Sequence, residues 1–501
     1  MKKFFLLLSF IFIISCEKDP IIYTLTIQSN PVEGGTFSPT SPQDYEPGSA
    51  AIISATPSAE YVFDGWTGSV TTSDQSFSMT MDADKSLTAN FIKKQYPLTI
   101  TIQGEGTVSE NVIKAGIVTD YNIGSIIELV ANPSDGWGFT EWKGDLNGTE
   151  NPKQITIDKP KTVTAVFEIL YGFYLDTNGV TIKAGKLVKP GDKGDVNGDE
   201  YTAVDRATLL TMVQNGDDVS KVVTTLITDM SDIFNNASSF NQDISSWDVS
   251  NVTNMKNMFS QASSFNKKID NWDVSNVTDM SYMFNQAHQF NKEIGSWDVS
   301  KVTTMEGMFR YGWRFNKEIG NWDVSNVTDM SNMFSNAIVF NEEIGSWDVS
   351  KVTTMEGMFL NANSFNEEIG NWDVSNVTDM SIMFNQAKAF NQTLDKWDVS
   401  NVTDMSAMFI YAELFNQPLD NWDVSNVTDM KYMFQSARSF NREIGNWDVS
   451  NVTIMERMFA YAHTFNQDLS SWCVSNVTNY KDFSLWSDLS NANMPKWGTC
   501  P

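Results

Sequence analysis

Histidine is almost missing from this chain: His288 and His463 are the only two in 501 residues. That scarcity argues against a histidine-based catalytic triad and against a histidine metal site, since both need imidazoles gathered at one point. Basic residues are also in short supply, 34 against 62 acidic ones, for a net charge of −28. So acidic a surface repels phosphate backbones and anionic headgroups, which excludes nucleic acid as an expected partner. No constellation of catalytic residues stands out, and enzymatic activity is not expected.

Cysteine occurs three times, at Cys16, Cys473 and Cys500. Residues 1–15 run from Lys2-Lys3 through the apolar stretch Phe4–Ile14 to Ser15, a secretory signal too short to span a membrane as a helix. Ile13-Ile14-Ser15-Cys16 resembles a bacterial lipobox. The resemblance implies lipidation at Cys16, export, and anchoring to the outer membrane or cell surface; ordinary cleavage leaving a free Cys16 is the rival reading. In an oxidising compartment the remaining pair, Cys473 and Cys500, is expected to form a disulfide. Closing a loop of that length stabilises by roughly 3–4 kcal/mol on the chain-entropy account.

What the chain has in abundance is repetition. Tryptophan recurs every 25 residues, at Trp247, Trp272, Trp297, Trp322, Trp347, Trp372, Trp397, Trp422, Trp447 and Trp472. A fixed period in the range of about 20–50 residues is the mark of a solenoid. In the coil from Phe240, Trp247 and Val249 have strand spacing, whereas Met255, Met258, Phe259 and Ala262 have helix spacing. Each coil is therefore expected to be one short strand and one short helix, an α/β architecture. Thr253 stands where an N-cap belongs, and Thr303 with Glu306, Thr353 with Glu356 and Thr453 with Glu456 read as capping boxes, in preference to glycosylation sequons. Asn241 and its equivalents after each phenylalanine are expected to form a buried amide ladder. The methionines at helix spacing read as core filler.

The repeated unit Phe-Asn-x-x-Ile-x-x-Trp-Asp-Val-Ser-Asn-Val-Thr-x-Met-x-x-Met-Phe-x-x-Ala resembles the BspA-like leucine-rich-repeat surface proteins, with their 25-residue Mycoplasma-type lipoprotein repeats. It implies a right-handed solenoid at the cell surface, with adhesion as its role and no catalytic residues. The expected partner is an extracellular, host or matrix protein, or a glycan, and the expected state is a monomer touching the membrane through its lipid. A structural envelope or matrix component with no specific ligand is the other reading.

Before the repeats lie two β-rich modules, residues 22–92 and 93–168, after a tether at 16–21. Tyr23-Thr-Leu-Thr-Ile27 matches Tyr96-Pro-Leu-Thr-Ile100, and Phe63-Asp-Gly-Trp66 matches Phe139-Thr-Glu-Trp142. These motifs resemble the divergent B-repeat modules of internalin-type proteins and imply small β-grasp-like domains. Trp66 and Trp142 read as core in preference to sugar-stacking platforms. Residues 169–200 form a connector whose Asp195–Asp199 fails as a calcium loop, because Glu200 stands where glycine is required. A cap follows at 201–226, with Asp205 as N-cap of a helix, then the solenoid at 227–476 and a C-terminal cap at 477–501.

Two features carry candidate binding residues. Asp248, Asp273, Asp298, Asp323, Asp348, Asp373, Asp398, Asp423 and Asp448 form one column expected to face outward. Strands about 4.8 Å apart would set neighbouring carboxylates at a repulsion of roughly 0.9 kcal/mol even in water. Serine hydroxyls, Lys301 and Lys351, a divalent cation or a basic partner would offset it, and a cation would make stability chelator-sensitive. Arg310, Tyr311, Trp313 and Arg314 are the second feature, with Gly312 among them, matching the composition of protein-binding hot spots. No other cofactor and no dedicated metal site is expected.

Overall fold

The computed structural model describes residues 20–114 and 120–501, so the signal segment and Cys16 lie outside the described residues. Two compact units divide after Ile169.

In the first unit each module is built on a pair of small sheets, to which the second module adds the short pairing of Gln95–Tyr96 with Tyr121–Asn122. Strand Tyr23–Asn30 runs parallel to Lys85–Lys93, which pairs antiparallel with Tyr61–Gly68. A second sheet joins Gly35–Ser38, Ala50–Pro57 and Ser76–Thr80. The alternation of Leu87, Ala89 and Phe91 buries one face of the strand, as the two-residue side-chain period requires. The second module repeats this with Leu98–Gln103 parallel to Lys161–Ile169, and even places its β-bulge at the equivalent site, after Phe139 as after Phe63. No grasp-type helix crosses either sheet among the described residues. Trp66 and Trp142 are both buried, 1% and 0% exposed, and the Trp142 indole donates to the Glu150 carbonyl at 2.9 Å. They belong to the module cores, so neither offers a face to a sugar.

The second unit opens with two hairpins, the later one pairing Lys193–Val196 with Asp199–Ala203. Asn197 and Gly198, at φ 57° and 90°, form its turn, and Asp195 accepts from the Gly198 N–H. The Asp/Asn-rich segment is thus a hairpin turn. Helix Arg206–Asn215 follows, N-capped by Asp205 through the Thr208 N–H at 2.8 Å and ended by left-handed Gly216. It packs on the first coils through Leu209.

From there the chain is a stack of coils 25 residues apart, and its local conformation corrects the expectation of a strand and a helix per coil. The cap helix is the only α-helix among the described residues. In place of a strand, each coil contributes one residue to a parallel bridge, running from Asp229↔Asn254 coil by coil to Ile454↔Asn479. In place of a helix, Met255–Ala262 is a run of reverse turns with Asn257 and Gln261 left-handed, at φ 55° and 60°. The reason is where the N–H groups go. Met258, Ser260 and Ala262 close turns onto Met255, Asn257 and Phe259, while Met255, Asn257, Phe259 and Gln261 donate to Asp279, Ser281, Met283 and Asn285 of the next coil at 2.7–2.9 Å. Four bonds per coil across the stack replace the bonds a helix would make within itself. A turn closing on the third residue back returns the chain to the same side, so apolar residues three and four apart face inward here as they would in a helix.

Side chains stack in the same register. Trp322 and Trp347 lie 6.5 Å apart and nearly parallel, and Phe259 meets Phe265 at 4.1 Å within one coil. Each indole donates to a carbonyl 28 residues back, Val219 for Trp247 and an isoleucine or leucine for the others, as Trp347 does to Ile319 at 3.1 Å. Met255, Met258 and their equivalents are fully buried. The Thr253 column is not a set of helix caps: its amide and hydroxyl both bond the Thr228 carbonyl one coil back, and Thr278 repeats this onto Thr253. Nor do the capping boxes form, since the Glu306 and Glu356 amides instead approach the Thr304 and Thr354 hydroxyls. The asparagine ladder exists, with Asn266 N–H donating to Asn241 Oδ1 and so on up the stack. It lies at the half-buried to exposed margin, where the turns are, and not in the core.

The left-handed positions are mostly Asn, Gln, Gly and Tyr, but Ile382 occupies one at φ 50°. A β-branched residue is strained there by roughly 1–2 kcal/mol. Ile382→Asn should raise thermal stability by about 1 kcal/mol in a melting experiment. At the equivalent Gly307, φ 56°, a methyl group would sit 2.4 Å from the Tyr282 ring, so Gly307→Ala should lower stability by more than about 1 kcal/mol.

Candidate interaction surface

The aspartate column does not behave uniformly. Asp248 is buried, 3% exposed, beneath the connector hairpin whose Ile182 N–H bonds the nearby Ser246 carbonyl. One of its oxygens, Oδ2, has no hydrogen-bond partner among the described residues. The expected outward position is thus corrected for this first member by the segment that covers it. Asp273, Asp298, Asp323, Asp348, Asp373, Asp398, Asp423 and Asp448 are exposed. Each turns Oδ1 back onto the serine two residues on, as Asp273 does onto the Ser275 amide at 3.1 Å and hydroxyl at 2.6 Å. Such local bonds favour the charged form. The Ser300 and Ser350 hydroxyls and amides accordingly hold Asp298 and Asp348 below the ordinary carboxylate value, with Lys301 and Lys351 lesser contributors. Those lysines point their ammonium groups at Asn276 and Asn326, 2.6 Å away. Among the described residues no three His, Cys, Asp or Glu side chains form a group suited to an ion.

Carboxylates are under more electrostatic pressure on a different column. Half-buried Glu356 is pushed up first by desolvation and then by Asp379, Asp329, Asp404 and Glu306; Asp429 is raised by desolvation with Asp404 adding to it. Beside them the Tyr282 hydroxyl donates to Glu306, and burial together with that bond pushes the phenol up to about 12.

A surface suited to a partner lies at the turn that ends each run of reverse turns. Arg310 and Tyr311 are half-buried there, with the guanidinium 5.3 Å from the tyrosine ring; Trp313 and Arg314 are exposed. Trp313 is 46% exposed and stacks flat on His288 of the previous coil at 3.7 Å, while His288 Nδ1 meets the Tyr311 carbonyl at 2.9 Å. Sequence inspection found this one coil and missed its continuation. At 25-residue steps from Tyr311, Trp313 and Arg314 stand Ile338, Val339, Tyr411, Leu414, Tyr461 and Trp486, all exposed. Within the coils, only Tyr480 among exposed large apolar residues falls elsewhere. The overlooked signal was the departure of these three columns from their usual Asn, Gln and Ser. Aromatic and aliphatic side chains in a row on one edge, with Arg310 and Arg314 among them, provide the anchors that protein interfaces use. At the closed end of the stack, the Cys473 and Cys500 sulfurs lie at bonding distance, at a sequence separation of 27.

These features define a repeat protein built of short stacked coils behind two small β modules. Residues 204–317, 309–413 and 389–497 match the family described as Mycoplasma protein of unknown function, DUF285. Together they span 204–497, more than half of the chain, and the protein belongs to that family. Residues 23–95 and 96–170 each match the divergent InlB B-repeat domain. No curated protein matches, and no solved structure does.

The two carboxylate columns have opposite pH signatures. A raised carboxyl opposes folding above its folded pKa, and the penalty disappears as pH falls below the unfolded value, 4.5 for Glu356. Glu356→Gln should therefore melt higher than the parent at neutral pH and converge with it below about pH 4. Asp348 is lowered, so its contribution is present above 3.8 and lost as pH falls through its folded value. Asp348→Asn should melt lower at neutral pH and converge with the parent in strong acid.

Proposed function

We propose that this protein is displayed outside the cell, held through lipid on Cys16, and binds another protein along the exposed edge of its coil stack. Supporting surface display are the signal-like first fifteen residues, the two B-repeat modules that precede the coils, and the family of the coils themselves. Among the described residues no helix is long and apolar enough to cross a membrane; the anchor in this reading is the lipid on Cys16. The single observation that carries recognition is the row from Trp313 to Trp486, in which large apolar groups stand in solvent at a fixed register. A stack held by hydrogen bonds in every coil presents that row with little conformational freedom, which lowers the entropy cost of docking. The role is contact, with no reaction assigned to it. Of the tryptophans weighed as glycan platforms, Trp66 and Trp142 are buried and only Trp313 remains, and His288 occupies one of its faces.

Binding of the full chain to arrayed extracellular and matrix proteins tests this reading. The doubly substituted Trp313→Ala, Leu414→Ser chain should fold normally, since both side chains are exposed, and lose binding by tenfold or more, about 1.4 kcal/mol. Undiminished binding would remove the edge as the recognition surface. Incorporation of a fatty-acid probe that persists in Cys16→Ser would remove the anchor.

A further inference from the structure

Every coil donates from the amides of its reverse turns to carbonyls of the coil that follows, so the stack is polar from end to end. Residues 487–501 do not repeat the run of turns, and among the described residues the amides of Tyr480, Asp482, Ser484 and Trp486 have no acceptor; at the first coil the carbonyls of Asp229, Ile233 and Asn235 have no donor among them. The stack therefore ends in a row of donors, and it begins in a row of acceptors at the same register.

Both ends are closed over most of that row and open at its last position. At the first coil the cap helix covers Asp229 and Ser231, with the Arg206 guanidinium donating to the Ser231 carbonyl, and Ile233 is buried. At the last coil Trp497 stacks on Tyr480 at 4.2 Å and packs on Phe483, Arg457 holds Asp482, and the Ser484 hydroxyl meets the Met494 sulfur. What remains open is Asn235 at one end and Trp486 at the other. Asn235 lines an 850 Å³ groove floored by Phe240, Ala237, Leu210 and Val213. Phe240 and Ala237 are only partly covered here, whereas the equivalents Phe265 and Ala262 are fully buried. Trp486, at 70% exposed, is the most exposed large apolar side chain of the coils.

We propose that the coil stack associates head to tail, the open donor end of one copy docking on the acceptor groove of a second. The Trp486 amide would donate to the Asn235 carbonyl, as the Gln261 amide donates to the Asn285 carbonyl at an internal junction. The Trp486 indole would fill the groove against Phe240. Unlike ends make the contact heterologous, so it propagates instead of closing at two copies.

Sedimentation equilibrium of the full chain from low micromolar to millimolar concentration tests the proposal. The average mass should rise steadily with concentration and pass that of a dimer. Trp486→Ser disables the donor end and Ser239→Arg obstructs the groove; each alone should remain monomeric, and the two mixed should reach a dimer and stop, because each retains the end that the other has lost. As a check independent of any variant, hydrogen exchange at the Trp486 amide of the unaltered chain should slow as concentration rises. A mass that stays monomeric throughout, a mass that saturates at two for the unaltered chain, or exchange independent of concentration would overturn it.

Discussion

The coil stack depends on one arrangement of peptide groups: a run of turns with a left-handed residue at every fourth position, in which every second N–H points along the stack. A helix satisfies its own amides and needs neighbours only for its apolar stripe. These coils leave four donors each for the next coil to accept. Apolar stacking and hydrogen bonding are therefore not separable: the register that sets Phe259 over Phe284 is the same one that sets the Phe259 amide on the Met283 carbonyl. Indole, threonine and asparagine ladders, each bonding a carbonyl or amide one coil away, hold that register from three sides.

Much of this was legible in the sequence. The 25-residue period named the stacking columns, and invariant tryptophan and phenylalanine named the core. The cap helix was marked by Asp205 and Gly216, and the module strands by alternating Leu87, Ala89 and Phe91. The coil conformation was not legible, because Met255, Met258, Phe259 and Ala262 give the same inward face in a helix and in a run of turns. The distinguishing sign is what stands between them: Asn257 and Gln261, and their equivalents Asn332, Asn336 and Gly357, are residue types that tolerate a left-handed backbone. Tyr282 and Ile382 at the same positions blur that sign, since the stack forces them into a conformation that they do not prefer.

The candidate surface shows the same division between what recurs and what departs. The aspartate column recurs, and its carboxylates are satisfied locally by Ser275 and its equivalents, so constancy there serves the turn. The edge through Trp313, Val339 and Leu414 varies from coil to coil, at positions that packing leaves free. Charge follows a similar logic: exposed aspartates with local donors lie low, while Glu356 and Asp429, half-covered and crowded by other carboxylates, lie high.

Because each junction between coils carries the same set of amides and carbonyls, excising one whole 25-residue unit rejoins a donor row to an acceptor row without a mismatch, whereas losing a single residue misaligns everything downstream. Gene copies that recombine unequally between these near-identical units would thus yield longer or shorter chains that still fold. Such exchange would change the length of the stack without disturbing its fold, and with it the distance between the first and last coils.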